Sequence, residues 1–488
     1  MKRVVIIGGG ISGLATAYSL REHQELGNVE EFEILLIDSN PRVGGNIKTE
    51  KHNGFIVEGG PDCFISEKPW ALALCRRIGL TDELLVTNDK LRKTFVLSKG
   101  KLHVLPEGVI LMVPTKMIPL AFSTLISFGG KIRMAMEYFI PKRRSTEDET
   151  LGSFVRRRLG AEALDKIAEP LVAGIHAGDP ETMSVRASFP KFVEMENEYG
   201  SLIKGMIKRM AKMKGKKLAA ASGAAKGVAG AKPAGKVTMF MSLKGGMTTL
   251  IDKIAEIVLS KPNTRIWCSA DADSIARIDD KFRIGISDGS TIEADAVVIA
   301  APANAASRLT VDIDPELSEK LKSIPYVSTA TISIAYKKAD IAHPMNGFGF
   351  VVPGSEKRRI MASTWTSIKF SGRAPDGSVL IRCFVGGSRN MELVDLSDTE
   401  MIELVKSELS DIMGITAEPE LARVFRFKRA MPQYTVGHEE RVAWIDERVE
   451  ATPGLYLTGS AYHGIGIADS IRYGEITAKK VLHRIEGK

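Results

Sequence analysis

At 488 residues the chain is too long for one hydrophobic core, and with 44% hydrophobic and 26% charged residues it is globular rather than disordered or fibrous. Cys63, Cys75, Cys268 and Cys383 are too scattered for a disulfide framework or a metal site, and suit a reducing compartment. The net charge of +8 is local, because ten of the 67 Lys and Arg residues fall within residues 204–236, which hold no Asp or Glu, leaving 57 basic against 59 acidic residues elsewhere.

Residues 4–7 are an apolar, β-branched run that passes directly into Gly8-Gly9-Gly10-Ile11-Ser12-Gly13 and then into helix-compatible sequence. This reads as the first strand, turn and helix of a dinucleotide-binding unit. Gly8 permits the tight turn, Gly10 lets the backbone approach a pyrophosphate, and Gly13 lets the helix pack close, with its N-terminal N–H groups toward the phosphates. Lys2-Arg3 followed by apolar residues could open a signal peptide, but the glycine turn and the acidic strand end explain the stretch as a strand. The next strand, residues 32–37, ends in Asp38, 25 residues after Gly13 and suited to hold an adenosine ribose.

Ser39-Asn40-Pro41 then leads into Arg42-Val43-Gly44-Gly45-Asn46-Ile47-Lys48-Thr49. This run brings a cation and two residues without side chains back over the same phosphates. A nicotinamide enzyme has no use for a second clamp, whereas a flavin that never leaves does, so FAD is the expected cofactor.

Residues 55–58 form a strand that breaks at Gly59-Gly60-Pro61, a turn expected beside the flavin's ribityl and pyrophosphate. Residues 68–86 read as a helix, and residues 92–97 and 99–106 as two strands joined at Lys99-Gly100. Arg92 and Lys93 are there either a solvated edge or a grip on a substrate carboxylate. Residues 109–140 are the most apolar region, but the charge-free run 117–130 contains Pro119 and falls short of the roughly 20 residues that span a bilayer. A buried helical lid is the favoured reading, against a face that lies on lipid or admits an apolar substrate.

Residues 150–169 look helical, and residues 169–180 form a small-residue segment ending in a turn, where Gly174 and Gly178 suggest a close approach to the backbone. His176 is read as a satisfied hydrogen-bonding residue rather than a catalytic one. Residues 212–236, rich in Ala, Gly and Lys, have no aromatic residue to stack on bases and too little apolar area to offset chain entropy. They read as a flexible linker, with anionic lipid the minority partner and nucleic acid excluded.

Residues 240–243 then lead through Gly245-Gly246 into a helix ending near Leu259, followed by strands at 264–268, 274–278, 282–287 and 291–294. Residues 295–302 read as a buried parallel-type strand ending in small residues, so the nucleotide domain is discontinuous. Strand-like runs at 329–336, 348–352, 359–365 and 379–385 suit a sheet roofing a substrate cavity. A strand at 454–459 precedes Gly464-Ile465-Gly466-Ile467-Ala468-Asp469-Ser470. That run opens a last helix whose N–H groups would face the flavin's pyrimidine end, where negative charge develops on reduction.

GGGISG, RVGGNI, LKGGMTTL and GSAYHGIGIADSI resemble the flavin amine oxidase and phytoene desaturase superfamily. Within it, EGGPDCFISEKPW, RKTFVLSKGKLHVLPEG, VPTKMIPL, EPLVAGIHAGDPETMSVRASFPKF and MPQYTVGHEER resemble the bacterial porphyrinogen oxidases of haem synthesis, those of Gram-positive type most of all. The resemblance covers nearly the whole chain. It implies an α/β fold with an α+β substrate part. A discontinuous Rossmann-type FAD domain would take 1–65, 237–308 and 431–488, and a substrate domain with a mixed sheet, like that of p-hydroxybenzoate hydroxylase, 66–94 and 309–430. A helical lid, or membrane-contact part, would take 95–205 and the flexible insert 206–236.

The same resemblance implies FAD-dependent, six-electron oxidation of coproporphyrinogen III, with protoporphyrinogen IX second, dioxygen as acceptor and hydrogen peroxide as by-product. The location would be cytoplasmic, or peripheral at the inner face of the membrane, with transfer to other enzymes of haem synthesis. Gly8, Gly10, Ile11, Ser12, Gly13, Asp38, Ser39, Arg42, Gly44, Gly45, Asn46, Gly60, Pro61, Ala272, Ala300, Gly459, Gly466, Ile467, Ala468 and Asp469 are the expected cofactor residues, and Gly174, Ile175, Arg92 and Lys93 the substrate residues. No side chain is expected to be catalytic and no metal to be bound, because the driving force lies in the substrate and the flavin while the protein positions and insulates. The carbonyl of Gly174 is the expected partner of the pyrrole N–H groups.

Three positions depart from the family pattern. Asp38 replaces the Glu of many relatives, so ribose contact calls for a backbone shift or a water. Ala272 replaces the usual valine beside adenine, and Thr94 stands where plant relatives carry a substrate-binding Arg, leaving Lys93 or Arg92 for the carboxylate. The competing enzyme reading is an amine oxidase or carotenoid desaturase; its covalent thioether variant would need a cysteine beyond Cys383. The non-enzyme reading is a flavin-binding redox sensor or carrier.

Overall fold

Five parallel strands carry the N-terminal glycine turn, in the order Thr264–Cys268, Glu33–Asp38, Arg3–Ile7, Ala296–Ile299 and Leu455–Leu457. The computed structural model describes residues 1–27, 31–106, 109–110, 113–114, 117–221 and 236–486. Val4, Val5, Ile6, Val297 and Val298 are fully buried, as continuous apolar runs in a sheet covered on both faces should be. Helices Ile11–Glu25, Thr248–Leu259 and Ile467–Ile485 pack on one face. An antiparallel meander (Ala272–Ile278, Lys281–Ile286, Thr291–Ala294) covers the other, with helices Ala303–Thr310 and Pro315–Lys322. The first and last helices meet at backbone distance: a Cβ on Gly474 would lie 2.7 Å from the carbonyl of Ser12.

A second sheet has seven strands, ordered Leu421–Pro432, Tyr326–Lys337, Ser378–Gly386, Ile360–Trp365, Gly349–Val351, Thr94–Ser98 and Lys101–Val104. It is antiparallel except where Gly349–Val351 runs alongside Thr94–Ser98. Because side chains alternate across a strand, Ile381, Cys383 and Val385 pack on one face with helix Asp398–Met413. Leu380, Arg382 and Phe384 occupy the other face, toward the first sheet and the helices.

The helical part packs Leu151–Arg158, Glu169–His176 and Pro190–Tyr199 around Phe154, Val172 and Phe192. Glu137 and Arg158 are both fully buried in it, with the Arg158 Nε donating to Glu137 at 2.8 Å. The Glu137 carboxylate also accepts from the N–H groups of Leu202 (2.8 Å) and Ile203 (3.1 Å), which satisfies the start of helix Leu202–Ala221. A buried pair of charges is tolerated when its remaining bonds are filled in this way.

Several expectations are corrected. The helix expected over 68–86 is Pro69–Arg77; Gly79, at φ +79, ends it, and Leu84–Val86 is a strand beside Phe240–Leu243. The hairpin expected beyond residue 95 in the helical lid belongs instead to the seven-stranded sheet. The small-residue segment from 169 is helical to His176, and Ala177 closes it at φ +51. The linker expected from 206 begins as helix Leu202–Ala221, Lys and Ala being adequate helix formers; residues 222–235 lie outside the described residues. The apolar region 109–140 is only partly a buried lid: Leu120, Leu125 and Met134 are buried, whereas Phe122, Phe128 and Phe139 are 84%, 78% and 81% exposed. Residues 111–112 and 115–116 of that region lie outside the described residues.

Candidate active site

The glycine turn is built for close approach. A Cβ on Gly8 (φ +108) would lie 2.9 Å from the carbonyl of Ala300, and one on Gly13 2.0 Å from the Gly8 oxygen. At Gly10, between them, no described residue lies within 4 Å of such an atom, leaving an open cradle next to the start of the Ile11–Glu25 helix, where Ile11 and Ser12 sit. The second loop does return over this turn. Gly44 donates its N–H to the Gly9 carbonyl at 2.7 Å, and a Cβ on Gly45 would be 3.3 Å from the Gly10 Cα. Arg42, however, does not stand free over the phosphates as expected. Its guanidinium donates to the carbonyls of Val43 (2.9 Å), Ile47 (3.0 Å) and Gly45 (3.3 Å), bracing its own loop.

Asp38 is 6% exposed and already engaged. One oxygen accepts from the Gly9 N–H at 2.6 Å, the other from the N–H and side-chain amide of Asn40, both at 2.8 Å. A carboxylate has about four acceptor sites, so one remains for a ribose hydroxyl. Ser39 is exposed just beyond, and Ala272, 7% exposed, opens the meander where Ala270 donates its N–H to the Asp38 carbonyl at 3.0 Å.

Gly60 can be nothing larger, since a Cβ there would lie 1.7 Å from the carbonyl of Asn46. The turn it shares with half-buried Pro61 is gripped from the seven-stranded sheet. Thr331 donates its hydroxyl to the Gly59 carbonyl at 2.7 Å, and Arg382 donates to the carbonyls of Gly59 (2.8 Å) and Gly60. One residue on, Asp62 pairs with Lys369 at 2.9 Å. Burial would raise the Asp62 carboxyl, but Lys369 and Arg382 hold it well below the usual range. Burial and then Asp62 push the neighbouring Cys63 thiol up to about 12, so it is no nucleophile.

At the C-terminal end, Gly466 precedes helix Ile467–Ile485, with Ile467 and Ala468 buried. Asp469 in its first turn pairs with Lys68 at 2.5 Å. Tyr434 fixes the preceding loop, its hydroxyl donating to the Ser460 carbonyl (2.8 Å) and accepting from the Gly464 N–H (2.7 Å). Around Gly459 (φ +137) no described residue fills the space, and the adjacent Thr458 hydroxyl is buried without a partner among the described residues. Open ground at Gly10 and Gly459, a glycine cradle and an orphaned hydroxyl fit an extended dinucleotide cofactor.

Gly174 lies at the other side, in the last turn of Glu169–His176. The Ala173 carbonyl accepts from Ala177 and the His176 carbonyl from Gln433, but those of Gly174 and Ile175 accept from none of the described residues. A Cβ on Gly174 would touch Val351 at 3.4 Å and Ala362 at 3.7 Å, both on the inner face of the seven-stranded sheet. Ile175 is 51% exposed, and Phe384, Met361 and Ala177 form an apolar cluster beside it. His176 is not the hydrogen-bonded residue expected: among the described residues its buried Nδ1 has no partner, and the ring meets Phe189 edge-on at 5.6 Å. Burial, with Lys68 nearby, lowers it to about 4, so it is neutral. Arg92 and Lys93 are exposed, without ion pairs among the described residues, and it is Thr94 and Val96 that share the face looking onto Val351.

The model of the family described as flavin containing amine oxidoreductase matches residues 11–482. The chain belongs to this family. As a member it is an FAD-dependent oxidoreductase. It is 34% identical to the coproporphyrinogen III oxidase of Bacillus subtilis (strain 168), over 99% of this chain and 98% of that one, and 31% identical to that of Staphylococcus aureus (strain NCTC 8325 / PS 47), over 99% of each. It also resembles the crystal structure of a protein from Exiguobacterium sp. 255-15 described as a protoporphyrinogen oxidase, at 31% identity and a TM-score of 0.83, covering 99% of this chain and 98% of that one. A UDP-galactopyranose mutase, at 16% identity and a TM-score of 0.70, shares the fold.

Five residues of this candidate site were missed from sequence: Lys68, Thr331, Lys369, Arg382 and Phe384. One signal was available. Arg382 interrupts an otherwise apolar strand, VLIRCFV, at an inward position, which is where a cation needs a reason to be.

Proposed function

We propose that this flavoprotein oxidises a porphyrinogen to the porphyrin, coproporphyrinogen III ahead of protoporphyrinogen IX, with dioxygen as final acceptor and hydrogen peroxide as by-product. The observation that carries the reading is the pair of unengaged carbonyls, Gly174 and Ile175, at the end of a helix that packs beside the apolar residues Val351, Ala362 and Phe384. A helix C-terminus is electronegative, and a ring of pyrrole N–H groups surrounded by hydrocarbon is the complementary ligand. The full-length similarity to coproporphyrinogen III oxidases supports the same substrate class.

Bound FAD supplies the two-electron acceptor for each of the three oxidations that make a porphyrin. In this reading Gly8, Gly10, Ile11, Ser12, Gly13, Gly44, Gly45 and Asn46 enclose its phosphates, Asp38, Ser39, Ala272 and Ala300 its adenosine, and Gly60, Pro61, Gly459, Gly466, Ile467, Ala468 and Asp469 its flavin half. Arg42 acts indirectly, by stiffening its loop. Gly174 and Ile175 orient the macrocycle, Phe384 shields it from water, and Arg92 or Lys93 meets a propionate at the rim. No side chain has to act as nucleophile, and the neutral His176 adds no charge to the apolar wall. The product passes to the next enzyme of haem synthesis.

Aerobic incubation with coproporphyrinogen III or protoporphyrinogen IX, followed by porphyrin fluorescence, tests the reading. Peroxide production from amines, without fluorescence from either porphyrinogen, would overturn it. A second reading concerns location: no described helix is long and apolar enough to cross a membrane, yet Phe122, Phe128 and Phe139 stand exposed near a basic helix, so this face lies on anionic lipid.

A further inference from the structure

Arg382 is 3% exposed, yet no carboxylate among the described residues forms a salt bridge with it. Its Nη2 donates to the carbonyls of Gly59 and Gly60, its Nε is buried without a partner among the described residues, and the guanidinium lies 4.9 Å from the centre of the Phe384 ring. The nearby acids are committed elsewhere. Asp62 pairs with Lys369 at 2.9 Å, while Glu58 accepts from the Thr49 hydroxyl (2.7 Å) and the Met247 N–H (2.8 Å) and stands 3.8 Å from Arg373. Lys369, Arg373 and Arg382 thus face two acids, and Arg382 is the cation left over.

Burying an unpaired charge is costly, and a guanidinium cannot escape the cost by losing its proton. Holding the Gly59 carbonyl does not require it, since Thr331 already donates there without any charge. The place matters more. Gly60, which Arg382 grips, packs on the Asn46 carbonyl, and Asn46 follows Gly45 directly over the Gly10 cradle. A contiguous backbone path therefore runs from the phosphate cradle to this cation, on the side where the substrate sheet closes over the site.

We propose that Arg382 is a positioning residue whose fixed, unpaired charge stabilises the electron-rich, reduced form of the bound flavin. The proposal rests on FAD occupying the site as described above. Phe384, stacked on the guanidinium and facing the apolar wall, keeps water from screening it. The Asp62–Lys369 pair anchors the turn from the other side; Asp62 lies within the field of Arg382, but its charge is already matched by Lys369.

The test is the midpoint potential of the bound flavin, read by anaerobic reduction against a reference dye, in the wild type, Arg382→Gln, Arg382→Lys and Thr331→Val. The Gln variant should shift the two-electron equilibrium about tenfold against reduction, a fall of about 30 mV. The Lys variant, which keeps the charge, should stay near the wild-type potential. So should Thr331→Val, which removes a hydrogen bond to the same carbonyl and no charge. A Gln variant that holds FAD at the wild-type potential would overturn the proposal, as would a Thr331→Val enzyme shifted as far as the Gln variant. If the Gln variant sheds its FAD, the Lys variant decides: an unchanged potential supports the charge, and a lowered one assigns the effect to the two-carbonyl grip and overturns it. A wild-type protein that takes up no FAD would instead remove the cofactor assignment on which all of this depends.

Discussion

The N–H of Gly9 donates to the carboxylate of Asp38 across 2.6 Å, joining the glycine turn to the end of the second strand before any cofactor is considered. Replacing Asp38 by Ala strips that N–H and the N–H of Asn40 of their acceptor. The buried Gly9 N–H, left unsatisfied, costs about 1–3 kcal/mol, whereas the exposed Asn40 can turn to water. Asp38→Ala is therefore expected to elute from gel filtration largely without FAD while its far-ultraviolet circular dichroism stays that of the wild type. Full flavin occupancy in this variant would refute the role.

Gly60→Ala should be worse than its size suggests, because its Cβ falls on the Asn46 carbonyl. Yellow colour should be lost. Gly129→Ala is the control: among the described residues nothing lies within 4 Å of its Cβ, and it sits exposed in the first turn of helix Phe128–Ala135, so little change is expected. Thermal melts with and without added FAD distinguish the two, and equal behaviour would contradict the close packing.

At Gly174 the two substitutions should part company. Ala meets Val351 and Ala362 at ordinary contact distance and should keep most of the turnover. Val adds two methyl groups beside the unengaged carbonyls, so porphyrin formation is expected to fall by roughly tenfold or more, the loss that a small misplacement brings, with FAD content unchanged. An unaltered rate in Gly174→Val would remove this carbonyl from the mechanism.

His438 is 2% exposed and stacked on Tyr434 at 3.9 Å, and burial lowers its pKa to about 4. Unfolded, the ring titrates near 6.5, so below that pH the unfolded chain binds a proton that the folded chain refuses. The stabilisation is complete above about 6.5 and lost as pH falls toward 4, at up to about 1.4 kcal/mol per pH unit. In urea melts between pH 7.5 and pH 5, the stability gap between the wild type and His438→Gln should therefore narrow as pH falls. A constant gap would show that the histidine is not held neutral.

The exposed phenylalanines predict behaviour with lipid. Wild-type protein should co-sediment with phosphatidylglycerol vesicles and less with phosphatidylcholine ones, since lysines such as Lys204, 4.5 Å over the Tyr138 ring, flank the same face. Phe122→Ser, Phe128→Ser and Phe139→Ser combined should leave the protein in the supernatant with its turnover intact. Equal sedimentation of the two proteins would count against a membrane face.

Much of the flavin half was legible, for a local reason. Glycines, β-branched runs and the acidic strand end act within a few residues of themselves, so the strands at Arg3–Ile7, Thr264–Cys268 and Ala296–Ile299 appeared where expected. The failures were tertiary. Nothing near Arg42 announces that its guanidinium turns back on three carbonyls, and nothing near Arg382 announces that Gly59 and Gly60, over three hundred residues earlier, are its acceptors. The Leu421–Pro432 strand escaped notice because its Arg and Lys residues break the apolar alternation while pairing with Tyr326–Lys337 supplies the backbone bonds.

The sheet beneath the glycine turn draws its strands from residues 3–7, 33–38, 264–268, 296–299 and 455–457. A ribosome making this protein therefore exposes the N-terminal turn long before its outermost neighbour has been translated. The nascent chain has to wait, half-assembled, until the strand at Leu455–Leu457 is made. Cofactor capture is thus a finishing step, and a message cut short anywhere before residue 455 would give a colourless product however intact its opening motif.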